Sequence, residues 1–80
     1  MRKVSVKYFA SLKEQSRKNS EDYATKATSV GDLYLELKTR YRFTLPPDVV
    51  RVAVNERFER MDYELQQGDR VAFIPPVSGG

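Results

Sequence analysis

The residues with the most chemical potential in this 80-residue chain are its last eight: Phe73, Ile74, Pro75, Pro76, Val77, Ser78, Gly79 and Gly80. A hydrophobic stretch runs into two prolines and then thins to Gly-Gly. Proline has no backbone N–H and holds φ near −65°, so Pro75-Pro76 ends a strand and keeps the residues beyond it extended. Four further residues reach on the order of 13 Å at about 3.3 Å each. Gly79 and Gly80 lack Cβ, so such a tip enters a channel too narrow for side chains. The sequence as written closes on the Gly80 carboxylate, which becomes an acyl donor once its oxygen is turned into a leaving group. Frayed polar slack is the ordinary fate of a chain end; proline stiffening followed by glycine thinning argues for a use.

Composition narrows what else the chain can do. It has no cysteine, which excludes disulfides, thiolate nucleophiles, iron–sulfur ligation and a cysteine persulfide, and is compatible with a cytoplasmic location. It has no histidine, the usual general base and commonest metal ligand, so neither a bound metal nor a bound cofactor is expected. No apolar run approaches the ~18 residues of a membrane span, and no signal-peptide core follows Met1-Arg2-Lys3, so no membrane association is expected. The net charge of +3 comes from interspersed signs, as in Lys13-Glu14 and Glu56-Arg57-Phe58-Glu59-Arg60. Nucleic-acid binders gather their charge on one face or in a run, so nucleic acid is not an expected partner. The cluster Glu56, Glu59, Asp62 and Glu64 alternates with arginines and reads as hairpin surface, not as paired catalytic carboxylates.

The elements that must position the tail follow from periodicity. Lys3 to Phe9 alternates, with Val4, Val6 and Tyr8 on one face and Lys3, Ser5 and Lys7 on the other, a half-buried strand. Phe9 breaks that alternation by landing on the polar face. Ala10 to Gln15 suits a short helical turn, Ser16 to Asp22 a polar loop, and Tyr23 to Ala27 a second strand. Ser29 with Asp32 resembles a capping box opening a helix, with Val30, Leu33, Leu37 and Tyr41 as its apolar stripe and Tyr34 at the edge. Gly31 costs that helix about 1 kcal/mol relative to Ala, less this near its start. Pro46 and Pro47 forbid its continuation. Val50, Val52 and Val54 alternate with Arg51 and Ala53 in a third strand; Asn55 starts a turn, and Arg57 to Met61 returns as a hairpin. Gln67-Gly68-Asp69 turns the chain into Arg70 to Ile74, with Val71 and Phe73 on one side and Ala72 and Ile74 on the other.

One amphipathic helix must lay its stripe on a mixed sheet, giving an α+β fold with a single core. The expected organisation is one domain over residues 1–75 and a flexible functional tail over 76–80. Phe9, Phe58 and Ile74 are apolar where alternation points to solvent. Singly they mean little, but as neighbours near the base of the tail they make a partner-binding patch.

This strand order, with Tyr8-Phe9-Ala10, Ala53-Val54-Asn55, Leu65, Gly68-Asp69, Val71-Ala72-Phe73 and Pro75 to Gly80, resembles the ubiquitin-like β-grasp small subunits of molybdopterin synthase, the MoaD family. The likeness covers essentially the whole chain. A terminal Gly-Gly alone is shared with ubiquitin and with the carriers of thiamine and tRNA thiolation; the Phe-Ile-Pro-Pro-Val-Ser-Gly-Gly string is narrower. The resemblance implies a sulfur carrier of molybdenum cofactor biosynthesis. An adenylating, MoeB-like activating enzyme uses ATP to activate Gly80, and a persulfide sulfur displaces AMP to leave a thiocarboxylate. The tail then threads into a MoaE-like large subunit, in a heterotetramer, to build the dithiolene on cyclic pyranopterin monophosphate. It further implies that Gly80 bears the sulfur beside an obligatory thin Gly79. Phe9, Phe58 and Ile74, with Pro75, Pro76, Val77 and Ser78, would meet the large subunit, and Lys13 stands where the family often has arginine facing the activating enzyme. Two departures are visible: the charged, glycine-free stretch from Lys13 to Asp22, and Gly31 where a helix former is usual. Two other functions share the features: a carrier or lysine-conjugated modifier of another pathway, and a β-grasp binding module whose Gly-Gly is incidental.

Overall fold

The computed structural model describes residues 1–76; the tail role expected of Val77, Ser78, Gly79 and Gly80 lies outside the described residues. The elements are β1 (Arg2–Tyr8), α1 (Ala10–Ser16), β2 (Ser20–Thr25), α2 (Val30–Tyr41), a 3₁₀ turn (Pro47–Val49), β3 (Arg51–Val54), β4 (Arg57–Glu59) and β5 (Arg70–Ile74). They build one five-stranded sheet in the order β2-β1-β5-β3-β4. β1 and β5 run parallel, and every other neighbouring pair is antiparallel. This is the mixed sheet of an α+β fold with the main helix on one face. Among the described residues no helix is long and apolar enough to cross a membrane.

Alternation sorts the sheet faces as the pattern predicts. Val4, Val6, Tyr8, Val52, Val54, Val71 and Phe73 point inward and are buried, and Val30, Leu33 and Leu37 of α2 close over them. Ser29 caps α2 by accepting from the Asp32 N–H at 3.1 Å. Tyr34, expected at the edge of the stripe, is fully buried at its centre. It can be, because its hydroxyl donates to the Leu45 carbonyl at 2.7 Å, so no polar group is stranded. Its ring joins Tyr8, Tyr41, Phe43 and Phe73 in an aromatic cluster with centroids 5.2 to 6.0 Å apart.

Several boundaries differ from expectation: α1 runs on to Ser16, β2 spans Ser20–Thr25 in place of the expected Tyr23 to Ala27, and the return strand of the hairpin is shorter. The segment expected as a polar loop from Ser16 to Asp22 instead contains the end of α1 and the start of β2. Its register on β1 runs from Lys7–Ser20 to Arg2–Thr25. The first half of β2 hides from a hydrophobicity reading because its first inward position is Glu21. Glu21 is tolerated there because Tyr8 and Tyr41 each donate to one carboxylate oxygen at 2.6 Å, while the Lys18 ammonium reaches the other at 3.0 Å. Tyr23 and Thr25 likewise donate to Glu36 of α2. α2 ends at Tyr41, ahead of the prolines, where Arg42 turns left-handed at φ 59° and its N–H closes on the Lys38 carbonyl. The return strand of the hairpin stops at Glu59, not Met61. Asn55 and Glu56, both with positive φ (52° and 72°), form its two-residue turn, the geometry that matches the twist of paired strands.

Gly31 is explained by close approach. Its N–H donates to the Met61 carbonyl at 2.7 Å, and a Cβ there would stand 3.0 Å from that oxygen and 3.3 Å from the Met61 Cβ. The Tyr63 carbonyl accepts from Val30 N–H, and Leu65 N–H donates to the Thr28 carbonyl, so the 61–65 segment is laced to the start of α2.

These contacts set two expectations for stability. Gly31→Val is expected to lower stability by about 1–3 kcal/mol despite better helix propensity, because the added bulk meets backbone; an unchanged urea midpoint would show that the 61–65 segment yields. Burial pushes the Glu21 carboxyl up, but donation from Tyr41, Tyr8 and Lys18 outweighs it and holds the group below the usual carboxylate range. Its stabilisation is therefore present above the unfolded-state value near ~4.3 and is lost as pH falls through the lower folded value. Glu21→Gln should lose stability at neutral pH and flatten the acid limb of a urea-midpoint profile.

Candidate functional site

β5 is the last strand, and it lies in the middle of the sheet. Its inner neighbours are Val6 with Val71 and Tyr8 with Phe73 on one side, and Val54 with Val71 and Val52 with Phe73 on the other. Phe73 is fully buried. Pro75 is buried against the domain, and Pro76, the last described residue, is exposed. The chain therefore leaves the body from an anchored central strand, not from a frayed edge.

The outward side chains of the same strands form the face beside that exit. Ile74, half-buried, closes β5 opposite Arg51. Phe9 follows the Tyr8–Phe73 pair by one step, so it flanks Ile74. Its extended backbone (φ −127°, ψ 152°) caps the start of α1, with its carbonyl accepting from Leu12 and Lys13 N–H groups. Held that way, the ring is 37% exposed. Phe9 and Ile74 line one shallow basin with Lys7, Arg70, Ala53 and Ala72. Phe58 is 67% exposed on β4, paired with Ala53, which pairs in turn with Ala72. It stands outside that basin, two strand spacings or about 10 Å from Ala72. The structure thus brings Phe9 and Ile74 together and sets Phe58 across two alanines on the same face. Lys13 is exposed on α1 beside Glu14 and Arg17, away from this face.

Alternation alone did not single out the cations here. The Lys7 ammonium sits 5.2 Å from the centre of the Phe9 ring, and the Arg51 guanidinium 5.6 Å from that of Phe58. Such contacts are worth about 0.5–1 kcal/mol at exposed sites and fix the direction of a long side chain. Sequence placed Lys7 on the outer face; only the register puts Arg51 beside Phe58.

The interior offers no acid–base set of its own. Burial, then donation to Glu21, drives the Tyr8 phenol far above its ordinary range. Tyr23 is pushed up to about 12 by burial and its bond to Glu36, and Tyr34 up to about 12 by burial. These hydroxyls stay protonated and structural near neutrality. Among the described residues no group of Asp and Glu is gathered to hold a metal.

A ubiquitin-like β-grasp domain with an exposed apolar face beside its terminal strand is the class of protein that this fold and site define. The ThiS family matches residues 6–80, and the chain belongs to that family. It is 36% identical, over the full length of both chains, to the molybdopterin synthase sulfur carrier subunit of Mycobacterium tuberculosis. Two solved structures are similar. The small archaeal modifier protein SAMP1 from Haloferax volcanii has a TM-score of 0.79 at 25% identity, covering 98% of this chain and 99% of that one. The complex of subunits 1 and 2 of the molybdopterin-converting factor from Helicobacter pylori matches with a TM-score of 0.63 at 26% identity, covering 98% of this chain and 99% of that one.

Because Phe58 lies open, Phe58→Asp should move stability by no more than about 0.5 kcal/mol, whereas Phe73→Ala in the core should cost about 3–5 kcal/mol. Thermal melts of the two variants check this; a large loss for Phe58→Asp would place that ring in the core.

Proposed function

We propose that this chain is the sulfur-carrier subunit of a molybdopterin synthase. The observation that carries the reading is the full-length similarity to a molybdopterin synthase sulfur carrier subunit, joined to a Pro-Pro-Val-Ser-Gly-Gly terminus. A MoeB-like enzyme uses ATP to adenylate the Gly80 carboxylate. The terminal sulfur of a donor persulfide bonds to the acyl carbon as AMP leaves, and a second thiol on the donor side then attacks the donor sulfur of the remaining S–S bond, closing a disulfide there and freeing a thiocarboxylate. Two such sulfurs, one from each of two charged carrier chains, bond to carbons of cyclic pyranopterin monophosphate in the large subunit to form the dithiolene, and water cleaves each acyl–sulfur bond to release the carrier as its Gly80 carboxylate. The division of labour suits the chemistry: the carrier supplies reach, thinness at Gly79 and Gly80, and docking through Phe9, Phe58 and Ile74. Pterin binding and proton transfer fall to the partner. Holding the reacting atoms together by docking can lower a barrier by about 7–11 kcal/mol in the best cases. The Helicobacter pylori complex supports a large-subunit partner for this chain.

The likeness to an archaeal modifier supports a second reading, in which the activated Gly80 is passed to a lysine amine instead. One experiment separates the two. The intact mass of the chain is measured after incubation with ATP, a sulfur donor and the activating enzyme from the same organism. A carrier gains the oxygen-to-sulfur difference on its C-terminal peptide, and deleting Gly80 abolishes the gain while leaving large-subunit binding largely intact. Appearance of Gly80–lysine isopeptides, with no sulfur gained, would favour the modifier. An unchanged mass, with the enzyme shown active on another carrier, would overturn both.

A further inference from the structure

The outer face of the sheet carries fixed charge as well as apolar surface. Lys7, Ala72, Ala53 and Phe58 succeed one another as register partners across β1, β5, β3 and β4, and Arg51 faces Ile74 in the next row. The two alanines leave a saddle at the centre. Phe9 and Ile74 stand on one side of it and Phe58 on the other. Each exposed ring is covered by a cation from its own chain, Lys7 at 5.2 Å from Phe9 and Arg51 at 5.6 Å from Phe58. A cation held over a ring is pre-positioned, so a docking surface meets a localised positive charge immediately beside each apolar anchor. Lys3 and Arg70 add to the same face, against the carboxylates of Asp22 and Glu56, and Glu56 already lies 3.8 Å from Arg70.

We infer that Lys7 and Arg51 are the partner-selecting residues of this face, and that it takes a protein surface on which carboxylates border an apolar projection entering the saddle over Ala53 and Ala72. The inference rests on the docking reading above and adds to it what distinguishes the right partner from the wrong one. A carrier and a modifier share the same terminal chemistry, so selectivity has to come from the docking face. A partner without carboxylates at these two places must desolvate two cations with nothing to pair them, and is rejected by that cost. A partner with them gains attraction at long range and register on contact. A second copy of this chain presents the same cations and is repelled. Single-stranded nucleic acid would seek ring faces for base stacking, but here those faces are covered, and Asp22 and Glu56 oppose its phosphates.

The test uses the full chain, Lys7→Glu/Arg51→Glu, and the neutral pair Lys7→Met/Arg51→Met, which keeps the apolar stems. Affinity for the molybdopterin synthase large subunit from the same organism is measured by calorimetry at about 0.05 and about 0.5 M salt, conditions that span weak to strong screening. The charge-reversed pair should bind at least about 50-fold more weakly and the neutral pair about tenfold more weakly, while thermal midpoints stay close to that of the unaltered chain. Salt should weaken the unaltered chain about tenfold and the neutral pair hardly at all. Equal affinity for all three proteins, or salt-independent binding by the unaltered chain, overturns the role of Lys7 and Arg51 and leaves the docking reading standing. No binding by the folded, unaltered chain overturns the docking reading itself. Tight binding of a fluorescent oligothymidylate that charge reversal abolishes, or a salt-stabilised dimer in sedimentation, would assign the face to nucleic acid or to self-association and overturn the inference.

Discussion

The exposed apolar face of this molecule depends on the parallel pairing of β1 with β5. That pairing joins the first strand of the chain to its last, with Ser5 against Arg70 and Tyr8 against Phe73. Because β3 takes the opposite side of β5, the last strand has no free edge. A terminal strand is ordinarily the easiest element to lose, since termini fray. Here its inner side chains Val71 and Phe73 are buried and both its sides are hydrogen-bonded, so its opening is coupled to opening of the core. The same pairing brings Phe9, which leaves β1, beside Ile74, which ends β5. An apolar face next to the chain's exit is therefore a result of topology, not of any local sequence signal.

The turn into β5 is secured to match. Asp69 is buried, with one carboxylate oxygen accepting from the Asn55 side-chain amide at 3.0 Å and the other from the Gln66 N–H at 2.8 Å. Asn55 accepts in turn from the Arg70 N–H at 2.9 Å and donates its own N–H to the Arg70 carbonyl at 2.8 Å. A buried carboxylate is tolerable only when its lone pairs are used, and these bonds use both oxygens. They tie the β3–β4 hairpin turn, which points away from the tail's exit, to the entry of β5. The hairpin that carries Phe58 is thus indexed to the strand that carries Ile74.

How much of this was legible in the residues divides by physical cause. Strands β1, β3 and β5 and helix α2 announce themselves because one face of each is apolar and burial decides their period. β2 shows only its second half, from Tyr23 on, since its first inward residue is Glu21, and a half-buried carboxylate looks like loop until its partners arrive from β1, from Lys18 just beyond α1, and from α2. Tyr34 reads as the rim of its helix for the same reason: its hydroxyl looks polar until the Leu45 carbonyl is found. Gly31 looks like a propensity fault until Met61 comes within 3.0 Å of its missing Cβ. At the site, broken alternation marked Phe9, Phe58 and Ile74 and left Lys7 on the side of Phe9, but Arg51 over Phe58 needed register. In each case the hidden term is an interaction between elements distant in sequence.

The aromatic cluster explains how so small a domain can hold such a face open. An 80-residue chain buries only about 60–65% of its unfolded surface, so it has little stability to spare for residues left in solvent. Tyr8, Tyr34, Phe43 and Phe73 pack edge-on, tilted or stacked between sheet and helix, and each contributes a large buried area. Two of the four are tyrosines whose hydroxyls also join Glu21 and the Leu45 carbonyl, adding cross-links that phenylalanine could not supply. With stability concentrated on the helix side, the opposite face is released from packing duty. Its alanines and its cation-covered rings are then free of any requirement from the core.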